Sequence, residues 1–554
     1  MDGKMGGRSK TAPTITVEKA DARRRVYMWI ALGLWLVAVL ARVWAFGAVP
    51  EGVHQDGAMA ALDAAALAAY GTDRFGMAWP VHLTAWGYGQ MSALMSYLMA
   101  PFVKLFGLNI VAVRLPNLLM SLAGLGALYA FARKAFRSET AGLAVFAFAA
   151  INPWHIMQSR WALDCNLFPH LFMIGLWLVH KGATEKRLRW VLLSMVSFAL
   201  CLYAYGIALY TVPLFLAGLC AVMLWRKLID WRGALAAAGV FLLVSWPILT
   251  MVVINFFRWE SVSLPFMTIP FFENSVRAKD MLFFSETPLA QLWVNVKALV
   301  KVVLLQDEWR PWHAVQGFGQ MYLFSMPFAA VGFAALVVKA VRRQTDRFGA
   351  LCVLAGLAMG VWAGVITTVT THRINIIFYF VILLAGYGLH WLCSLHRLVK
   401  WPVVAAYTVA FAMFVSAYFT RGAAAIREWF WADMENALAY AAETESNSFH
   451  IIHAFPQVMD GAQMAVVLTA YTHELDAAYV RGETALTFAD GTVVAPYAER
   501  YVFVDGAGEV PVPTEDAVYV YQNLDAAGVV IDETRFTVER FGAASVVISK
   551  NFAD

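Results

Sequence analysis

The stretch Pro50 to Tyr70, PEGVHQDGAMAALDAAALAAY, sets His54, Asp56 and Asp63 directly after an apolar run. A carboxylate beside a membrane is costly when buried and unpaired, and ordinary when it faces water or a ligand. Asp56 is therefore the first candidate for chemistry. Asp164, within INPWHIMQSRWALDCNLF at 151–168, is the second. Two carboxylates at the mouth of a lipid-facing cavity suit general-base work: one takes the proton of an acceptor hydroxyl, the other orients the acceptor or a cation. Each has a plainer alternative. Asp56 could cap the Ala-rich helix that Asp56-Gly57-Ala58-Met59-Ala60 opens. Asp164 follows Arg160 by four residues, and on a helix the two would pair.

Arg114, Arg160 and Arg373 form a second group. Arginine binds phosphate with a fork of donors, and snorkelling to lipid headgroups is the competing explanation. Arg373 follows Thr370-Thr371-His372 at the mouth of an apolar span, a suitable place to hold a lipid phosphate. His54, His82, His155 and His372, with Asp56, could bind a divalent metal. No HxxxH or HxH spacing supports this, and interfacial packing is the simpler role. Trp154, Trp161, Trp309, Trp312 and Tyr322 suit an interfacial aromatic belt; they could also stack on sugar rings.

The elements that must position these residues are membrane helices. Of the 554 residues, 60% are hydrophobic and 14% charged, and mean hydropathy is +0.61. Soluble domains carry about 25% charged residues. A net charge of +4 gives no case for nucleic acid. The 5 cysteines form no CxxC pair, so neither a metal cluster nor a disulfide framework is indicated. A bilayer core needs roughly 20 apolar residues per helix. On that rule about eleven spans are expected, near 26–48, 113–132, 141–157, 167–181, 190–204, 207–225, 234–254, 321–340, 349–369, 374–393 and 402–419. The first is too long for a signal-peptide core and is read as a retained helix. Residues 1–25 are expected to be a flexible cytoplasmic N-terminus.

Basic clusters recur after alternate spans: Arg23-Arg24-Arg25, then Arg133/Lys134/Arg137, Lys181/Lys186/Arg187/Arg189, Arg226/Lys227/Arg232, Lys339/Arg342/Arg343/Arg347 and Arg397/Lys400. The positive-inside rule puts these in the cytoplasm. The pattern closes only if 91–106, short, Met-rich and interrupted near Pro101, lies along the outer interface without spanning. The outer face then holds the first outer loop 49–112, the 153–167 segment, the long loop 255–320, and the tail 420–554. That tail has short β-branched runs (HIIHAF, RYVFVD, AVYVYQ, ASVVISKN) and the turn pair Asp490-Gly491. It is read as a small extracytoplasmic α/β domain.

The ordered set of motifs resembles a family. It runs P-x-G-x-H-Q-D at Pro50–Asp56, Tyr70-Gly71-Thr72-Asp73, Trp79-Pro80, Gly87-Tyr88-Gly89, Phe106-Gly107, Arg114-Leu115-Pro116, Asn152-Pro153-Trp154-His155-Ile156 and Ser159-Arg160. This order, over about residues 26–400, is similar to bacterial membrane glycosyltransferases of the GT-C fold. These include relatives of the protein O-mannosyltransferases and of the aminoarabinose transferases of lipid A. The resemblance implies an all-α polytopic catalytic region at 26–419. It implies transfer of a sugar, with inversion, from a polyprenyl-phosphate carrier to a glycan, lipid or protein acceptor on the outer face of a bacterial cytoplasmic membrane. It maps the catalytic carboxylates onto Asp56 and Asp164 and the carrier-phosphate contacts onto Arg373, with Arg160, Arg114 and His372 behind it. His54, Asp63, His155 and Trp154 are left as acceptor or sugar contacts. One departure stands out. The family commonly has Asp-Glu in the first loop, and this chain has Asp56-Gly57. Asp63 or Glu51 could replace that Glu, and dependence on a divalent metal stays open.

A transporter or flippase of lipid-linked sugars is the main rival. It should carry ionisable or helix-breaking residues near the midplane of several spans, whereas these spans show few central charges and one internal Pro247. A membrane scaffold presenting the C-terminal domain would not need so large a first outer loop.

Overall fold

Helices occupy each of the eleven expected span positions. The computed structural model describes residues 12–87, 89–273, 281–396, 398–455, 460–488 and 490–552. Among them, eight helices are long and apolar enough to cross a membrane: Asp21–Val43, Ile110–Ala135, Ala208–Trp225, Trp231–Phe257, Leu323–Val341, Arg347–Ile366, Ile376–Leu395 and Lys400–Trp429. The chain is a multi-pass membrane protein. Glu139–Ala150 and Leu188–Ala204 are apolar but shorter, and Leu167–Glu185 carries His170 and His180 within it. The helix at 94–106 is also short, with Leu105 and Phe106 exposed at its end.

Two expectations need correction. The first helix begins at Ala12, so 12–25 extend it as helix; residues 1–11 fall outside the described residues. The last span runs on through a π-helical turn to Trp429, ten residues past the expected end.

The interhelical loops segregate to two ends. At one end Thr345 Oγ1 donates to Ala135 O (3.0 Å), and His180 Nε2 lies 2.6 Å from Asp346 Oδ2. The basic segments near 133–139, 180–190 and 339–347 meet there. At the other end the Gln55–Tyr70 helix, the 164–166 turn, the 306–322 segment and the 367–375 turn come together. Two small antiparallel hairpins decorate that end: β1 (His82–Ala85) with β2 (Gly89–Ser92), and β3 (Val262–Leu264) with β4 (Met267–Ile269).

The C-terminal region carries a five-stranded sheet of order β6-β5-β7-β9-β8. Its strands are β5 (Phe449–His453), β6 (Tyr501–Asp505), β7 (Val518–Tyr521), β8 (Phe536–Phe541) and β9 (Ala544–Ser549). β5 runs parallel to β6 and β7; β9 is antiparallel to β7 and β8. The four β-branched runs are β5, β6, β7 and β9. The helix Gly461–Thr472 packs on Gln55–Tyr70 and so docks the sheet onto the 49–112 segment. Polar contacts tighten that seam: Tyr70 to Asp476 (2.7 Å), Val53 N to Phe430 O (2.9 Å), and Glu51 to Arg427 and Asn436.

Burial gives this seam a pH dependence. It raises the Asp63 carboxyl to about 7 against the opposing Arg74, and the Glu435 carboxyl to about 7 against Arg114. A carboxyl whose folded value lies above its unfolded value keeps protons in the native state. Its contribution to stability is present below the unfolded value and is lost as pH rises through the folded one. The thermal unfolding midpoint should therefore fall as pH rises from about 4 to about 7. Asp63→Asn should flatten part of that fall in a scanning-calorimetry series.

Candidate active site

The segment that follows the first span is held by three buried arginines whose donors go mainly to main-chain carbonyls. Arg160 donates to Arg42 O (2.8 Å), Trp44 O (2.7 Å), Ala45 O (3.1 Å) and Val49 O (2.9 Å), where the first span ends and its last carbonyls lack helical partners. Its guanidinium also lies over the rings of Phe419 and Tyr418. Arg114 donates to Gly47 O (3.2 Å), Pro50 O (2.7 Å) and Gly52 O (2.6 Å). Arg42 donates to Ala38 O, Ala150 O and Ala149 O, and to His155 Nδ1 at 2.9 Å. These arginines fix the chain path from 41 to 52 and have no fork left for a phosphate. Arg114 and Arg160 are thus removed from the carrier-binding set. A helical Arg160–Asp164 pair does not form either: the helix Pro153–Gln158 ends first, and Asp164 opens a separate 3-10 turn.

His155 is likewise committed. Its Nε2 lies 3.0 Å from the Tyr379 hydroxyl, which also reaches His170 Nδ1 (2.8 Å). The ring faces the helix interior, away from any acceptor or metal role at the surface. Asp63 pairs with Arg74 Nη1 (2.7 Å) and accepts Arg74 N (3.0 Å), fully buried. Glu51 pairs with Arg427 and Asn436. Neither is available to replace the Glu missing after Asp56.

Asp56 is different. It sits in the first turn of Gln55–Tyr70, but the cap is His54, whose Nδ1 accepts Asp56 N at 3.2 Å. The Asp56 carboxylate is half-buried and among the described residues accepts no hydrogen bond and joins no ion pair. The His54 ring packs against Trp161 (5.1 Å), Phe430 (5.5 Å) and Trp312 (6.0 Å), and burial holds its imidazole below the usual range against the pull of Asp56. Gly57 explains the departure from Asp-Glu. A Cβ there would stand 2.9 Å from Ala162 O, so only glycine lets this helix lie against the 161–164 segment.

That contact brings the second carboxylate close. Asp164 Oδ1 accepts Cys165 N (2.7 Å) at the head of its turn. The turn is stapled to the third element by Asn375 Nδ2, which donates to Cys165 O at 2.7 Å. Arg373, half-buried, lies within this Thr370–Asn375 turn, immediately before the Ile376–Leu395 helix.

The 255–320 segment contributes residues that were not anticipated. Glu308 Oε2 accepts Thr371 Oγ1 (2.7 Å) and Thr371 N (3.3 Å), and its Oε1 accepts Arg310 Nη1 (3.0 Å). Burial would raise this carboxyl, but His313, Thr371 and Arg310 outweigh it and hold it below its usual range. His313 Nε2 lies 3.0 Å from His372 Nδ1; burial is the main cause that pushes the His313 imidazole down to about 3. Glu308 and His313 therefore set the shape of the 370–375 turn. The only sequence signal for them was Glu308-Trp309-Arg310-Pro311-Trp312-His313, dense in polar and aromatic types, and its tryptophans suggested an interfacial belt.

A small cleft lies between Trp154, Gln158, Asn166, Trp312, His313 and His372. Gln158 Oε1 and Asn375 Oδ1, both buried on its wall, have no hydrogen-bond partner among the described residues. Buried acceptors of this kind are completed by water or a ligand hydroxyl. Among the described residues no three of His, Cys, Asp and Glu gather to hold a metal ion.

The family model "Dolichyl-phosphate-mannose-protein mannosyltransferase" matches residues 91–251, less than half of the chain. No curated protein matches the sequence. The fold is similar to that of ArnT from Cupriavidus metallidurans, solved with undecaprenyl phosphate bound, at 14% identity and TM-score 0.52 over 95% of this chain and 98% of that one. The apo oligosaccharyltransferase of Archaeoglobus fulgidus aligns at 10% identity and TM-score 0.49, covering 81% of this chain and 64% of that chain. Eight long apolar helices, a 49–112 segment packed on the bundle and a C-terminal sheet docked upon it together give this chain an ArnT-like fold.

Proposed function

We propose that the chain is an inverting glycosyltransferase that moves a sugar from a polyprenyl-phosphate carrier to an acceptor hydroxyl at the outer face of a bacterial cytoplasmic membrane. One observation carries this reading. Glu51, Asp63 and Glu308 are all spent on ion pairs, while the half-buried Asp56 carboxylate is in none among the described residues. A carboxylate held in place but left open is what a general base requires. The bound undecaprenyl phosphate of the ArnT structure supports the carrier class.

In this mechanism Asp56 takes the proton of the acceptor hydroxyl as its oxygen attacks the anomeric carbon. The bond from that carbon to the carrier phosphate breaks, and both electrons leave with the phosphate oxygen. Arg373 offsets the growing negative charge on the leaving phosphate. Asp164, beside it on the stapled turn, orients the acceptor.

Arg373→Ala should weaken binding of polyprenyl phosphate by about tenfold or more, the loss of one charge-assisted phosphate contact. An unchanged affinity in a lipid-binding titration would take Arg373 out of the phosphate site. Orientation is tested by cysteine labelling. A cysteine introduced at Arg137 should react with an impermeant thiol reagent only from the cytoplasmic side.

A further inference from the structure

A cavity of about 830 Å³, with neither Asp56 nor Asp164 in its lining, lies at the carboxyl ends of the parallel strands β5, β6 and β7. The sheet has a switch point there. From β5 the chain passes to β6 on one side and then to β7 on the other. Loops diverge at such a point and leave a crevice, which is where open α/β sheets bind ligands. The crevice is floored by His453, Gln522 and Asn523 and closed by Trp431 from the segment that leaves the membrane.

Its chemistry narrows the ligand. Gln522 uses its carbonyl on Ala454 N (2.7 Å) and keeps its amide N–H groups open; Asn523 uses its own on Ala526 N and does the same. Asp505 commits one oxygen to Ala507 N (3.0 Å) and keeps the other. The His453 ring, stacked on Phe455, makes no hydrogen bond among the described residues. Trp431 meets Phe455 edge to face at 4.7 Å. Planar amides, a carboxylate and an imidazole beside aromatic faces match a sugar, whose hydroxyls both donate and accept and whose C–H faces pack on rings. Charge argues against a phosphate. The one basic side chain on the wall, Arg427, is paired with Glu51 and Asp433, while Glu428 and Asp505 add negative charge.

We infer that this cleft binds an uncharged saccharide chain. The wall also ties it to the transfer centre: Arg427 reaches Glu51, and Phe430 O accepts Val53 N, three residues before Asp56. Its service as the acceptor subsite rests on the transferase reading; saccharide binding itself does not.

Saturation-transfer NMR on the full-length protein in micelles tests it, with maltotetraose, cellotetraose, mannotetraose, chitotetraose and an uncharged Ser/Thr-rich decapeptide as probes. At least one tetrasaccharide should bind in preference to the peptide. Gln522→Glu, which keeps the Ala454 bond but removes the open donors, and Asp505→Asn should each weaken binding about tenfold. Asp56→Asn should leave binding unchanged, so failure of the transferase reading and failure of this one are read separately. No tetrasaccharide binding, preference for the peptide, or binding indifferent to both cleft variants would overturn the inference.

Discussion

Asp56→Asn should lower sugar transfer by about 10²–10⁴-fold while leaving carrier binding and folding intact, because a positioned general base contributes roughly that factor. The change is well suited to isolate chemistry from structure. Asparagine matches aspartate in size. The helix cap is His54 acting on the backbone N of residue 56, so it survives the substitution. The carboxylate supports no ion pair among the described residues whose loss could loosen the loop. Transfer rates from radiolabelled carrier-linked sugar, beside polyprenyl-phosphate binding and the thermal midpoint, check the claim. Turnover near wild type would remove Asp56 from the catalytic role. A joint loss of transfer and folding would make its role structural.

The second large effect runs against what the family pattern suggests. Gly57→Glu restores the common Asp-Glu pair, yet it should inactivate the protein. Its Cβ would stand 2.9 Å from Ala162 O, a backbone atom two residues before Asp164. Overpacking at such a site costs about 1–3 kcal/mol, and the new carboxylate would enter a buried position. Relief requires the Gln55–Tyr70 helix and the 161–164 segment to part. A shift of about 1 Å between reacting groups costs on the order of 10²-fold in rate. Gly57→Ala separates the two causes, since it adds the Cβ without the charge. Both variants should lose transfer and thermal stability. If Gly57→Glu raised activity, glycine would be a deficit in this chain and the packing account would be wrong.

The helical, multi-pass character was legible because apolar length is a local signal: helices stand at the expected positions, and eight of them among the described residues are long and apolar enough to cross a membrane. Four strands of the C-terminal sheet were equally plain as β-branched runs. The strand β8, FTVERF, was not, since its polar alternation is that of an edge strand with one wet face. For the site, Asp56, Asp164 and Arg373 stood out in the sequence as polar residues at the ends of apolar spans. Sequence alone could not separate an arginine that meets a ligand from one that meets carbonyls. Arg114, Arg160 and Arg373 look alike until the fold shows that the first two close the turn from 41 to 52. The burial of Asp63 and His155 was hidden for the same reason: their partners, Arg74 and Tyr379, are chosen by tertiary packing. Glu308 acts through Thr371, 63 residues away, a distance no motif spans.

The most direct test is donor turnover by the purified protein in liposomes. Polyprenyl-phosphate-linked sugars are supplied with a saccharide acceptor, and carrier and acceptor are followed by mass spectrometry. The account predicts free polyprenyl phosphate and a sugar-extended acceptor of inverted anomeric configuration, both absent with Asp56→Asn. Intact carrier-linked sugar moved between leaflets, with no carrier phosphate released, would contradict it and make the chain a transporter.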